Sequence, residues 1–381
     1  MEREKGFAMA DRIAGDPALQ RAVAAACDLA TLAQVLAAIE GSEEGWQRWL
    51  RDAQEARFSP PRWRRENPPP AGWIPMSLFE MGGNWQIEWV HSLFAPLSDP
   101  FFDDTVRRVA RHPANLLLRC STPAEAVLEF AQQQQPDVLI FHISRCGSTL
   151  VARMLDALEE TRVLAEPPVF DAALQLYLRG VFDQSLVKGV AGALARAPDG
   201  NARRCALKLD SWHCLVLDRV ADLFPDAHKV LLFRDPIEVL VSHRDLPGMQ
   251  VLKGAVPYDT FGLFGALEIA ADEFASWAIS AIMRAALAAA DRPDLLMVDF
   301  AQLPQDFTDR ILPHCEIVAD PAELTRIAQV AGHYSKRPEI TFESDSQMRQ
   351  EQAGAELRTL AAQHGLDQLH LDLKSRVGRK R

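Results

Sequence analysis

After Pro136 the chain alternates short, wholly apolar runs with longer stretches in which apolar residues recur every three or four positions. The runs cover residues 138–143, 163–164, 205–209, 230–233 and 295–298. Runs this short and this apolar predict strands buried on both faces, as in a parallel sheet, and the stretches between them predict helices. The expected fold class is therefore α/β, a parallel β-sheet flanked by helices, with ligands at the carboxyl ends of the strands. The upstream pattern is different. Residues 1–72 read as a helical, alanine-rich N-terminal extension that ends in a connector, 59–72, holding five prolines. Residues 73–89 place apolar positions on both sides of Gly82, Gly83 and Asn84, which predicts a hairpin. Residues 103–111 and 122–134 read as helices, so 73–135 forms a small α+β segment. The α/β domain is expected over 136–372 and a basic tail over 373–381.

Composition narrows the functions. The chain has 381 residues, of which 48% are hydrophobic and 24% charged, enough to bury a sizeable core. A formal net charge of −11 argues against nucleic acid as the main partner. The six cysteines form no Cys-x-x-Cys pair, which suits free thiols in a reducing compartment, and the first residues lack an apolar signal core. A cytoplasmic location is expected. The longest apolar helix, around 266–290, is interrupted by Glu268, Asp272, Glu273 and Arg284, so it reads as buried and amphipathic, with no membrane span. Six of the eight tryptophans (Trp46, Trp49, Trp63, Trp73, Trp85 and Trp89) precede residue 90; a local core accounts for them more simply than an acceptor platform.

The first apolar run leads straight into Ser144, Arg145, Cys146, Gly147, Ser148 and Thr149, and then into a helical stretch with Leu150, Met154, Leu155 and Leu158 on one face. A strand turning through small residues into a helix gathers backbone N–H groups at one point and binds anions. Gly147 allows close backbone approach, and Ser148 and Thr149 add hydroxyl donors and a helix cap. A Walker A loop would need lysine where Ser148 stands, and a Cys-x5-Arg phosphatase loop fails because Arg153 is one residue too far from Cys146. Cys146 at a helix start is either an oxidation-prone thiol or a small filler.

The fourth run ends in Arg234, Asp235 and Pro236 and continues into a helix with Ser242, eight residues beyond the arginine. Together the two segments resemble the sulfotransferases that use 3′-phosphoadenosine-5′-phosphosulfate, a family with a P-loop nucleotide-hydrolase-like fold. The likeness covers about 137–337 and does not reach the first ~130 residues. It implies that Ser144 to Thr149 bind the 5′-phosphosulfate and that Arg234 and Ser242 hold the 3′-phosphate, which Arg can grip with a bidentate fork. Lys336 and Arg337, within a His-Tyr-Ser-Lys-Arg-Pro run, are similar to the basic loop that closes over that phosphate. The implied activity is sulfuryl transfer to a hydroxyl or amine, with no metal required because the leaving group is already a phosphate. The acceptor would be a small molecule, lipid, glycan or peptide. Arg145 would stabilise the leaving oxygen. Glu166, after the second run, is the first candidate for general base, although a glutamate before two prolines can simply cap the next helix; Asp210 is the second, with Lys208 assisting the sulfuryl group. His213 reads as packing or surface, and Asp299, ending the last strand, as structural. The alternatives are an ATP-dependent kinase of the P-loop class and a non-catalytic nucleotide-binding or interaction module.

Overall fold

The computed structural model describes residues 2–56, 63–95, 99–196, 204–262, 268–334, 337–341 and 345–377. They fall into two units, Met1–Gln135 with Glu166–Arg203, and Pro136–Ala165 with Arg204–Arg381.

The first unit begins with the helices Glu2–Ala14, Pro17–Ala24, Leu29–Ile39 and Glu43–Glu55. Polar residues start three of them: Asp16 accepts the Ala18 N–H at 2.8 Å, Asp28 that of Thr31 at 2.7 Å, and Ser42 that of Gly45 at 3.2 Å. A four-stranded sheet follows, built from β1 (Trp63–Arg64), β2 (Trp73–Met81), β3 (Asn84–His91) and β4 (Cys120–Pro123) in the order β1-β4-β3-β2. The expected hairpin is β2–β3, closed by Gly82 and Gly83 at φ 62° and 81°. Helix Phe102–Ala110 matches its sequence pattern, but 122–134 does not form one helix: β4 runs to Pro123 and a 3₁₀ helix covers Ala124–Phe130. Proline at 123 and the cross-strand pairing of Thr122 with Ile87 hold that start extended. Trp46, Trp63, Trp73 and Trp89 are buried, and the indole N–H of Trp73 donates to the Leu118 carbonyl at 2.7 Å. They form core, as their amphipathic chemistry allows.

The helices Pro168–Leu178 and Gln184–Ala195 belong to this unit, although sequence places them within the α/β domain. The reason is a close backbone approach. A Cβ on Gly189 would lie 2.5 Å from the Val127 carbonyl oxygen, and one on Gly192 would lie 2.4 Å from that of Phe130. The residue-72 boundary is likewise internal to the unit, because β1 pairs with β4.

The second unit contains a five-stranded, wholly parallel sheet: β5 (Val138–His142), β6 (Thr161–Ala165), β7 (Arg204–Lys208), β8 (His228–Phe233) and β9 (Leu295–Asp299). Its order is β6-β7-β5-β8-β9. The chain thus starts in the middle strand, builds to one side and then to the other, so the carboxyl end of β5 is the point where strand order reverses and a crevice is expected. All five β5 residues are buried. Flanking helices include Ser148–Asp156, Pro236–Asp245, Ala271–Ala288 and Leu366–Arg376. No helix among the described residues is long and apolar enough to cross a membrane.

Candidate active site

The loop after β5 has an unusual backbone. Ser144, Arg145 and Gly147 have φ of 81°, 50° and 81°, the left-handed region that only glycine enters without cost. Several contacts hold it. The Ile143 N–H donates to Leu232 on β8 at 3.1 Å, the Ser144 N–H to His142 Nδ1 at 3.1 Å, and the Cys146 thiol to the Leu232 carbonyl at 3.2 Å. Gly147 is required twice over: besides its φ, a Cβ there would come 2.8 Å from Phe300 Cδ2 and 2.9 Å from Leu303 Cδ1.

Gly147 is also the N-cap of the loop helix, Ser148–Asp156, which has no side-chain cap. This corrects the expectation that Ser148 or Thr149 caps it; both are already helical. The start of the helix therefore has no side-chain acceptor for its N–H groups, and the Ser148 N–H faces the Cys146 thiol. The reactive reading of Cys146 also fails. Its thiol is fully buried and burial pushes its pKa up to about 12, so it is a filler.

Arg234 follows β8, whose His142-to-Leu232 register with β5 sets the ends of the two strands side by side. Asp235 caps the next helix, accepting from the Ile237 N–H at 2.9 Å and the Glu238 N–H at 3.3 Å, with Pro236 at the first position. The Arg234 guanidinium is buried and fully engaged. Nε donates to Glu238 at 2.6 Å, Nη2 to Asp345 at 2.6 Å, and Nη1 approaches the Arg145 carbonyl at 3.5 Å. Its plane lies over the Phe300 ring, 4.1 Å from the centroid. Burial favours the protonated form of Asp345, but Arg234 and Arg349 outweigh it and hold the carboxyl below its ordinary value. Ser242 is buried in the helix Pro236–Asp245. The loop and the arginine motif are therefore brought together, and Glu238, Asp345 and Phe300, which sequence did not single out, complete the arginine's surroundings.

Arg145 is half-buried and donates to the Leu246 carbonyl. Lys208 is buried at the end of β7, in register with Ala165 of β6. Glu166 follows Ala165 at φ 55°, a left-handed glutamate at the residue where the chain passes from one unit to the other. Asp210 plays a structural part. It caps the 3₁₀ helix Ser211–Val216, its carboxylate accepting the His213 N–H while His213 Nδ1 accepts the Asp210 N–H at 3.2 Å. His213 is thus a buried capping partner, not surface. Asp299 is a cap too, accepting the Ala301 N–H at 3.0 Å. Lys336 lies outside the described residues. Arg337 opens strand β11 (Arg337–Thr341), which pairs with β10 (His333–Tyr334).

No protein-family model and no curated protein matches the chain. Solved structures similar to it include three sulfotransferases. Sulfotransferase STF9 from Mycobacterium avium is 14% identical over 62% of this chain and 77% of its own, with a TM-score of 0.39. The sulfotransferase domain from the curacin biosynthetic pathway is 15% identical over 61% and 98%, with a TM-score of 0.37. Sulfotransferase STF1 from Mycobacterium tuberculosis H37Rv is 16% identical over 57% and 78%, with a TM-score of 0.32.

Proposed function

We propose that the chain transfers a sulfuryl group from 3′-phosphoadenosine-5′-phosphosulfate to a hydroxyl or amine of a small-molecule, lipid, glycan or peptide acceptor. The observation that carries this reading is the meeting of two elements 89 residues apart, the loop helix with no side-chain cap and Arg234, whose Nη1 approaches the Arg145 carbonyl at 3.5 Å. A nucleotide with phosphate at both ends suits such a pair.

In this reading the amides of the loop and the hydroxyls of Ser144, Ser148 and Thr149 bind the 5′ end of the donor, with Cys146 and Gly147 shaping the turn. Arg234 and Ser242 hold its 3′-phosphate. The acceptor oxygen or nitrogen forms a bond to sulfur as the sulfur–oxygen bond to the phosphate breaks. The acceptor's proton passes to Glu166, and the charge on the leaving phosphate oxygen is stabilised by Arg145 and the loop N–H groups. Lys208 supports the sulfuryl oxygens. Asp210, already engaged in capping, is the second choice of base.

Thermal unfolding with added nucleotides tests the reading, because a ligand that binds only the folded state raises the melting temperature. 3′-Phosphoadenosine-5′-phosphate is expected to raise it clearly, and 5′-AMP and ATP, which lack the 3′-phosphate, to raise it far less. Equal shifts with all three would remove the case for a 3′-phosphate site.

A further inference from the structure

His243 follows Ser242 in the helix Pro236–Asp245 and is buried. Its ring nitrogens have distinct partners. Nδ1 accepts the Gly248 N–H at 3.1 Å, so the neutral ring carries its proton on Nε2. Nε2 lies 3.1 Å from Ser144 Oγ, which makes the imidazole the donor and the serine the acceptor. The Gln250 amide nitrogen, also buried, lies 3.3 Å from the same Nε2, where donor meets donor and no bond forms, and donates instead to the Ser144 oxygen. A hydroxyl has two acceptor lone pairs and one hydrogen. Both lone pairs of Ser144 face donors, so its O–H is directed to a third partner.

We propose that His243 is a positioning residue of the phosphate loop: with Gln250 it fixes Ser144 as a dedicated hydrogen-bond donor to the 5′-phosphate of the donor nucleotide. This rests on the reading under Proposed function. The same geometry excludes the other use of a serine beside a histidine. A nucleophilic serine needs an unprotonated Nε2 and an acceptor at Nδ1 to hold the opposite tautomer, whereas Nδ1 here faces a backbone N–H. It also gives the left-handed Ser144 a reason to stay where it is. Its N–H is held by His142 from its own strand, and its Oγ by a residue on the helix that carries Ser242. The two ends of the nucleotide are thereby gripped by one connected set of side chains.

Titration calorimetry on the full chain tests this with 3′-phosphoadenosine-5′-phosphate and with 3′-AMP, which lacks the 5′-phosphate. His243→Phe is expected to weaken the first about 10- to 100-fold, the worth of one hydrogen bond to a charged group, and to leave 3′-AMP unchanged. His243→Gln, which keeps an N–H near the Nε2 position, should recover most of the loss. Ser144→Ala should match His243→Phe, and the double variant should lose no more than either alone. Equal weakening of both nucleotides by His243→Phe would make the residue merely structural and overturn the proposal, as would no weakening of either. If His243→Phe does not fold, Ser144→Ala decides alone: an unchanged affinity for the bisphosphate overturns the proposal, and a loss confined to it supports it. Wild type binding neither nucleotide would instead overturn the reading of the whole site, an outcome distinct from a failure of His243.

Discussion

Ser144, Arg145 and Glu166 are three of the six non-glycine residues with left-handed backbone among the described residues, the others being Leu93, Phe94 and Glu316. Each such residue costs about 1–3 kcal/mol and persists only where its surroundings over-determine it, which is why such strain gathers at sites. The coincidence bears on the choice of base. Asp210 uses its carboxylate to start a 3₁₀ helix, a common structural employment. Glu166 instead accepts a strained backbone where the nearest strand ends. Glu166→Gln is expected to keep its affinity for 3′-phosphoadenosine-5′-phosphate and to lose about 10²- to 10⁴-fold in turnover, the usual consequence of losing a general base. Asp210→Asn should turn over near the wild-type rate. Steady-state rates with a panel of phenols, alcohols and amines read both, and a dead Asp210→Asn beside an active Glu166→Gln would reverse the assignment.

Among the elements, the helix Pro236–Asp245 does the most. It carries Glu238 against Arg234, then Ser242, then His243 against the loop. Arg234 has one partner that can leave. Glu238 sits four residues along the same helix start, but Asp345 reaches Nη2 from a segment 111 residues away. A phosphate arriving at the fork competes with that carboxylate. Asp345→Asn is therefore expected to tighten binding of 3′-phosphoadenosine-5′-phosphate about tenfold, one charge-assisted hydrogen bond no longer having to be exchanged, with little change for 5′-AMP. Calorimetry that shows weaker binding would mean Asp345 organises the arginine rather than competing for it. This contact marks where sequence reading stops. The β strands of the second unit and the two βα turns were legible because burial on both faces leaves uninterrupted apolar runs, and because Asp235-Pro236 is a helix start in itself. Asp345 was not, since a long-range ion pair leaves no periodic trace. The membership of 166–203 in the first unit was hidden for a different reason. Its signal is only Gly189 and Gly192, three apart on a helix, which propensity reads as weakness rather than as close packing.

At the scale of the whole molecule, a net charge of −11 makes acid the informative stress. His91, in the first unit, is fully buried at the end of β3. Its Nδ1 accepts the Leu93 N–H at 3.0 Å, and its ring meets Trp73 edge-on with centroids 4.4 Å apart. Burial, helped by the nearby His112, lowers its pKa from 6.5 to about 4. The sign follows from linkage. Between those two values the unfolded chain takes up a proton that the folded one refuses, so stability is complete above pH 6.5 and is lost as the pH falls towards 4. The loss approaches about 3 kcal/mol, since each unit of pKa difference is worth about 1.4 kcal/mol. That is a sizeable part of the roughly 5–15 kcal/mol by which a domain is normally stable. Asn at position 91 keeps an acceptor near Nδ1 but cannot be protonated in this range. His91→Asn is therefore expected to be less stable than wild type at pH 8, because ring packing against Trp73 is lost, and to change less between pH 6.5 and 4. Urea unfolding across that interval, followed by tryptophan fluorescence, compares the two slopes directly. Parallel pH profiles for wild type and His91→Asn would show that the acid sensitivity of this unit has another source.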